Sequence, residues 1–209
     1  MTMEIQGDRS GNLATPKLSL DRHWIMQSAM QRYADEGRLF GTTQQGTGFV
    51  TQAGLSATDA ILAIHNPISS NMTARLWFAG LTLKVANTAA AVAWLGVNTN
   101  TNEAIVTGPA AVVRNYNLGG GVNNTQGQKM LAFTTATLAV APVALCTLGA
   151  GLTAAITTVP AVPPFAREFY GCMLIQPGTT VSFQTSTASG AASAHGEYVW
   201  SEHKLITAA

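Results

Sequence analysis

The chain has 209 residues, a formal net charge of +1, 47% hydrophobic residues and only 10% charged ones. That length is enough to bury one full core, and the apolar content excludes a disordered body. No run of Lys or Arg is present, so the footprint of a nucleic-acid binder is missing. Charge is also unevenly placed: residues 1–40 hold 10 of the 21 formal charges, and residues 41–209 hold 11. An average domain is about one quarter charged, so a body surfaced with Ala, Thr, Ser, Asn and Gly predicts that much of it faces other protein.

In chain order, residues 1–17 read as an extended polar arm with no basic and apolar leader pattern. A helix is expected from Ser19, with Asp21 in its first turn. Met26, Ala29, Met30 and Tyr33 would form one apolar face at i, i+3, i+4, i+7 spacing, and Gly37 would stop the helix at C′. Arm and helix, residues 1–40, form an expected attachment unit, with Trp24, Met26, Met30 and Tyr33 as candidate partner-binding residues. Residues 41–209 form the expected body.

The body reads as β-structure, because short runs rich in Val, Ile, Thr and aromatics alternate with Gly, Asn and Pro. Strands are expected near 47–52, 58–65, 72–86, 90–98, 103–107, 110–116, 129–140, 165–175, 179–185 and 193–204. Within 72–86 the apolar set changes phase, from Met72, Ala74, Leu76 and Phe78 to Leu81, Leu83 and Val85. This predicts a β-bulge at Ala79-Gly80. Gly119 to Gln128 reads as a loop, lacking the Lys and hydroxyl of a phosphate cradle. Met130 to Ala166 carries no charge, yet its threonines and Pro142, Pro160, Pro163 and Pro164 argue against a membrane span. Pro177-Gly178 predicts a type II turn. In the last strand Ala194, Tyr198 and Trp200 should point inward, and His195, Glu197, Ser201 and His203 outward. Val181 and Phe183 should be the inward pair before it. Such a strand count with few helices predicts a mainly β protein, a jelly-roll-like β-sandwich with an N-terminal extended arm and one amphipathic helix.

Chemistry is sparse. No G-x-S-x-G stands in the chain, and the sequence predicts no enzyme and no cofactor. His195-x-Glu197 places two ligands on one strand face, where a metal would need three or four. A metal-dependent jelly-roll enzyme at this pair is an alternative reading. Trp77, Trp94 and Trp200 are expected in the core, and Cys146 and Cys172 are expected as small buried residues. The Asn71 and Asn123 sequons read as chance matches in a chain without a leader.

The carboxyl end, MLIQPGTTVSFQTSTASG from Met173 and AHGEYVWSE from Ala194, resembles the end of small β-sandwich structural proteins of tailed-phage virions. A Pro/Gly turn, a T-V-S-F strand, a small-residue loop and a last strand ending in an aromatic and an acid carry the likeness over about 35 residues. The resemblance implies a virion structural protein, a capsid decoration or cement protein. Its partners would be itself, as a homo-oligomer with a trimer favoured, and the major capsid protein or other virion proteins. It would lie in the virion, and composition separately predicts that the chain binds neither nucleic acid nor membrane. A spike, collar, baseplate or receptor-binding component is the alternative within the same family.

Overall fold

The computed structural model describes residues 17–18, 24–25, 28–44, 46, 48–58, 60–83, 91–99, 105–117, 128–151, 165–188 and 194–204. The chain divides into two compact units, Met1–Arg32 and Tyr33–Ala209. The first boundary of the body therefore falls at Tyr33, ahead of the residue 41 expected from charge.

In the first unit, β1 (Lys17–Leu18) pairs antiparallel with β2 (Trp24–Ile25). A single long helix from Ser19 is thus not formed. The helix α1 is Ala29–Asp35, and Ser28 caps it: its Oγ accepts the Gln31 N–H at 3.1 Å, three residues on, as an N-cap does. Apolar spacing alone overestimated its length, because the aromatic and β-branched pair Trp24-Ile25 suits a strand. Gly37 ends the helix as expected. Its φ is +67°, and the Gly37 and Arg38 N–H groups return to the carbonyls of Ala34 and Tyr33, a Schellman closure.

The second unit is mainly β, a sandwich of two antiparallel sheets. Its strands are β3 (Leu39–Thr43), β4 (Ala60–His65), β5 (Met72–Leu83), β6 (Ala91–Asn98), β7 (Ile105–Thr107), β8 (Val113–Asn115), β9 (Leu131–Leu138), β10 (Val143–Gly151), β11 (Phe165–Ile175), β12 (Thr180–Thr185) and β13 (Ala194–Lys204). One sheet has the order β10-β6-β12-β4-β9-β7 and the other β11-β5-β13-β3-β8. Four pairings, β3 with β13, β4 with β12, β5 with β11 and β6 with β10, nest inside one another along the chain. Such a nested ribbon, rolled so that β13 also meets β5 and β12 also meets β6, is a jelly roll. The stretch between β6 and β10 adds β8 to the edge of one sheet and β9 with β7 to the edge of the other.

Alternation places the core. On β13, Ala194, Tyr198 and Trp200 are wholly buried, as are Val181 and Phe183 on β12. Phe183 stacks on Tyr198 with ring centres 4.3 Å apart and planes 13° from parallel, which ties the two sheets together. Such offset aromatic pairs add to the burial of their area. Gly196 is required here, because a Cβ would stand 2.9 Å from the Phe183 ring.

Several expectations are corrected. The strand at 47–52 is reduced to one bridge, Phe49 with Ala194. The phase switch in β5 exists but lies at Trp77: Val199 faces Phe78 and Trp200 faces Leu76. On the other side of β5, four residues of β11 (Phe169–Cys172) stand opposite Trp77. Tyr170 and Gly171 there have φ of 51° and 73°, so this bulge projects outward. Trp77 and Trp94 are half-buried on outer faces, so of the three tryptophans expected in the core Trp200 alone lies there. Cys146 is half-buried, Cys172 is exposed on the bulge, and both are free thiols. Among the described residues no helix is long and apolar enough to cross a membrane.

Candidate functional site

The outer face of the five-stranded sheet carries the polar residues of β13: His195, Glu197, Ser201 and His203. The structure arranges its two ends differently.

At the carboxyl end, Trp77 Nε1 donates to Ser201 Oγ at 2.9 Å, and Ser201 Oγ lies 2.8 Å from His203 Nε2. A Ser–His contact suggests a nucleophile with its base. The far side of the ring decides otherwise. Arg38 Nη2 is 2.6 Å from His203 Nδ1, and a guanidinium can only donate. Nδ1 is therefore the acceptor, Nε2 carries the proton, and that proton is given to Ser201. In this arrangement the imidazole offers the serine no lone pair. Ser201 is also fully buried. Tyr33 closes the cluster, edge-on to His203 at 4.6 Å and tilted against Trp77 at 5.9 Å. Arg38 uses its other donors on the Glu202 carbonyl at 2.9 Å and on Glu36 at 3.0 Å, and lies over the Tyr33 ring at 5.4 Å. These contacts form a clamp that holds the segment after α1 to the end of β13.

Glu202, on the inner side of the same strand end, is 2% exposed. Its carboxylate accepts the N–H groups of Lys129 at 2.8 Å and Met130 at 3.1 Å, and Trp200 Nε1 at 3.1 Å. Burial pushes its pKa above the ordinary carboxylate value, against the opposing pull of these donors and of the Lys129 charge. This carboxylate fixes the start of β9.

At the amino end the same face is open. Gly41, Thr43, Val112, Arg114, Tyr116 and Glu197 line a pocket of about 200 Å³ where β13, β3 and the edge strand β8 lie side by side. A Cβ on Gly41 would stand 2.5 Å from the Tyr116 ring and 3.1 Å from the Tyr198 carbonyl oxygen, so only glycine lets that ring edge rest on the strand. Burial, and secondarily the Glu197 charge, raise the Tyr116 phenol above its usual value, which keeps it protonated.

His195 and Glu197 do share a face, both half-buried, with the His195 ring beside Gly48. Among the described residues no group of three or more His, Cys, Asp or Glu is placed to hold a metal ion. Of the candidate partner-binding residues, Trp24 lies in β2 rather than a helix, and Met26 lies outside the described residues. Met30 is half-buried on α1. Tyr33 is 5% exposed, with its ring against Trp77 and His203 in the clamp.

Sequence reasoning missed Arg38, Glu202, Arg114 and Tyr116. Strand parity placed Glu202 with Tyr198 and Trp200, which was the available signal. Nothing local marked the others, whose partners lie far away in the chain.

Comparison with protein-family models, with curated proteins and with solved structures finds no match for the chain. Fold and geometry thus define the class as a mainly β two-sheet sandwich.

Proposed function

We propose that this chain is a structural protein of a virion, a decoration or cement protein that assembles with copies of itself, as a trimer, and fastens to a shell of capsid protein. The observation that carries this reading is a charge-poor body in which five of the ten large exposed apolar side chains among the described residues lie on or next to two edge strands, β10 and β11. Val140, Val143 and Leu145 on and before β10, and Tyr170 and Leu174 on β11, are 47–71% exposed. The two strands are the last members of their sheets, and they meet where the Phe165 ring packs on Gly149. Contiguous exposed apolar surface favours association, and surfaces without charge join without stranding an unpaired ion. The segment ahead of Tyr33 holds 7 of the 21 formal charges and serves as the attachment arm.

Native mass measurement of the full chain tests the self-assembly, with a trimer expected and a Val143→Lys, Leu145→Lys double variant shifted to monomer. A wild-type chain that is monomeric at every concentration overturns it. Deletion of residues 1–32 should preserve the folded body and abolish attachment to purified shells. Retained attachment removes the role given to the arm.

A further inference from the structure

The pocket above Gly41 is not used by the assembly reading, and its chemistry selects a ligand. At about 200 Å³ it is smaller than the roughly 300–1,000 Å³ that holds drug-sized molecules, so a ligand of one ring's size fits. Its walls combine apolar surface from Val112 and the Tyr116 ring, 47% and 42% exposed, with one cation, Arg114, and one anion, Glu197. Pairing fixes their orientation. Gly41 stands opposite Arg114 on one side and Val199 on the other, and Thr43 stands opposite Glu197, so these side chains rise from one sheet face.

An anionic ligand such as a phosphate would meet the Glu197 carboxylate, and a simple cation would meet Arg114. A neutral polyol meets neither penalty. Each hydroxyl both donates and accepts, so adjacent hydroxyls can donate hydrogen bonds to Glu197 and accept them from Arg114. The C–H face of a pyranose suits an aromatic and aliphatic wall, which is the usual division of labour in small-molecule sites. We propose that this pocket binds a neutral saccharide ring. The site is independent of the assembly surface on β10 and β11, and it supplies a recognition function that shell attachment does not require.

Saturation-transfer NMR on the full chain tests it, with glucose, galactose and N-acetylglucosamine as probes and glycine as a zwitterionic competitor. At least one sugar should receive saturation from the protein. Tyr116→Ala and Glu197→Gln should each weaken binding about tenfold or more, equivalent to about 1.4 kcal/mol. Tyr170→Ala, on the distant β11 bulge, should leave binding unchanged. Thermal unfolding of each variant separates lost binding from lost fold, and Arg114→Met provides a third variant on the exposed edge strand. Absence of transfer to all three sugars, equal binding by the Tyr116 and Glu197 variants, or preferential binding of glycine would overturn the proposal.

Discussion

The two ends of β13 present similar residues to the same outer face and use them in opposite ways. At Ser201 and His203 the named donors and acceptors are engaged, and Tyr33 and Trp77 cover them. At the other end Glu197 borders a pocket, the His195 ring lies beside Gly48, and both residues remain half-exposed. Side-chain type therefore says little about availability. What separates the two ends is the supply of partners: Tyr33 of α1 and Arg38 just after it cover one end, whereas at the other Glu197 faces the open pocket.

The sharpest way to break this comparison is at Glu202, whose buried carboxylate satisfies three donors, two of them buried. Glu202→Ala leaves those donors without their acceptor, and the expected loss is about 3 kcal/mol after the return of the carboxylate's own desolvation cost. Denaturant unfolding measures it, and a loss below about 1 kcal/mol would mean that the start of β9 is held by other contacts.

Glu202 also gives the strand end a pH signature. Its folded-state pKa is raised by burial, so the folded protein holds this proton more tightly than the unfolded chain does. That contribution is fully present below the ordinary glutamate value and is lost as pH rises through the raised one. The stability of wild type relative to Glu202→Gln should accordingly fall with rising pH across this window. The Gln variant serves as reference because Lys129, Arg38 and His203 are retained in both proteins. His65 has the opposite sign: burial lowers its pKa from 6.5, so its contribution is present above that value and is lost as pH falls through the lowered one. A flat difference curve for Glu202→Gln would contradict the burial of the carboxylate.

Arg38 is the next test, because it is the residue that converts an apparent Ser–His pair into a clamp. Arg38→Met removes three donor contacts at a half-exposed site, with an expected cost of about 1–2 kcal/mol. The more specific readout is the His203 ring. Nitrogen NMR should show the Nε2–H tautomer in wild type and a shift toward a mixture of tautomers in Arg38→Met. Wild type with its proton on Nδ1 would overturn the assigned direction of the Arg38 hydrogen bond. Trp77→Phe, which removes one donor to Ser201 and keeps most of the ring, should cost about 1 kcal/mol.

How much of this was legible in the sequence depends on whether the deciding contact is local. The last three strands were readable almost to the residue, because a Pro177-Gly178 turn separates β11 from β12 and Val181, Phe183, Tyr198 and Trp200 alternate inward after it. Gly178 has φ +83° there, and the Thr179 N–H returns to Gln176. The β5 bulge was sensed from its change of phase but placed at Gly80, because glycine is the usual marker of a bulge. The actual irregularity surrounds Trp77, where the β11 bulge supplies Gly171 close to the indole. Strand number suggested a jelly roll, yet the nested pairing that defines it joins Leu39 to Ser201 across most of the chain. The clamp and the pocket depend on that same closure, so Arg38 and Tyr116 carried no local signal.

The smallest expected effect completes the comparison at the open end. If His195 and Glu197 are not part of a structural network, His195→Ala and Glu197→Ala should each change stability by no more than about 0.5 kcal/mol, the usual range for surface positions. The same variants test the metal alternative. A metal bound only to the folded state raises the unfolding temperature, and two ligands on one strand fall short of the three or four that zinc requires. Zinc added to wild type should leave the unfolding temperature unchanged. A zinc-dependent rise that disappears in both variants would reveal further ligands converging on the pair, and the open end of β13 would then be a metal centre rather than a neutral pocket.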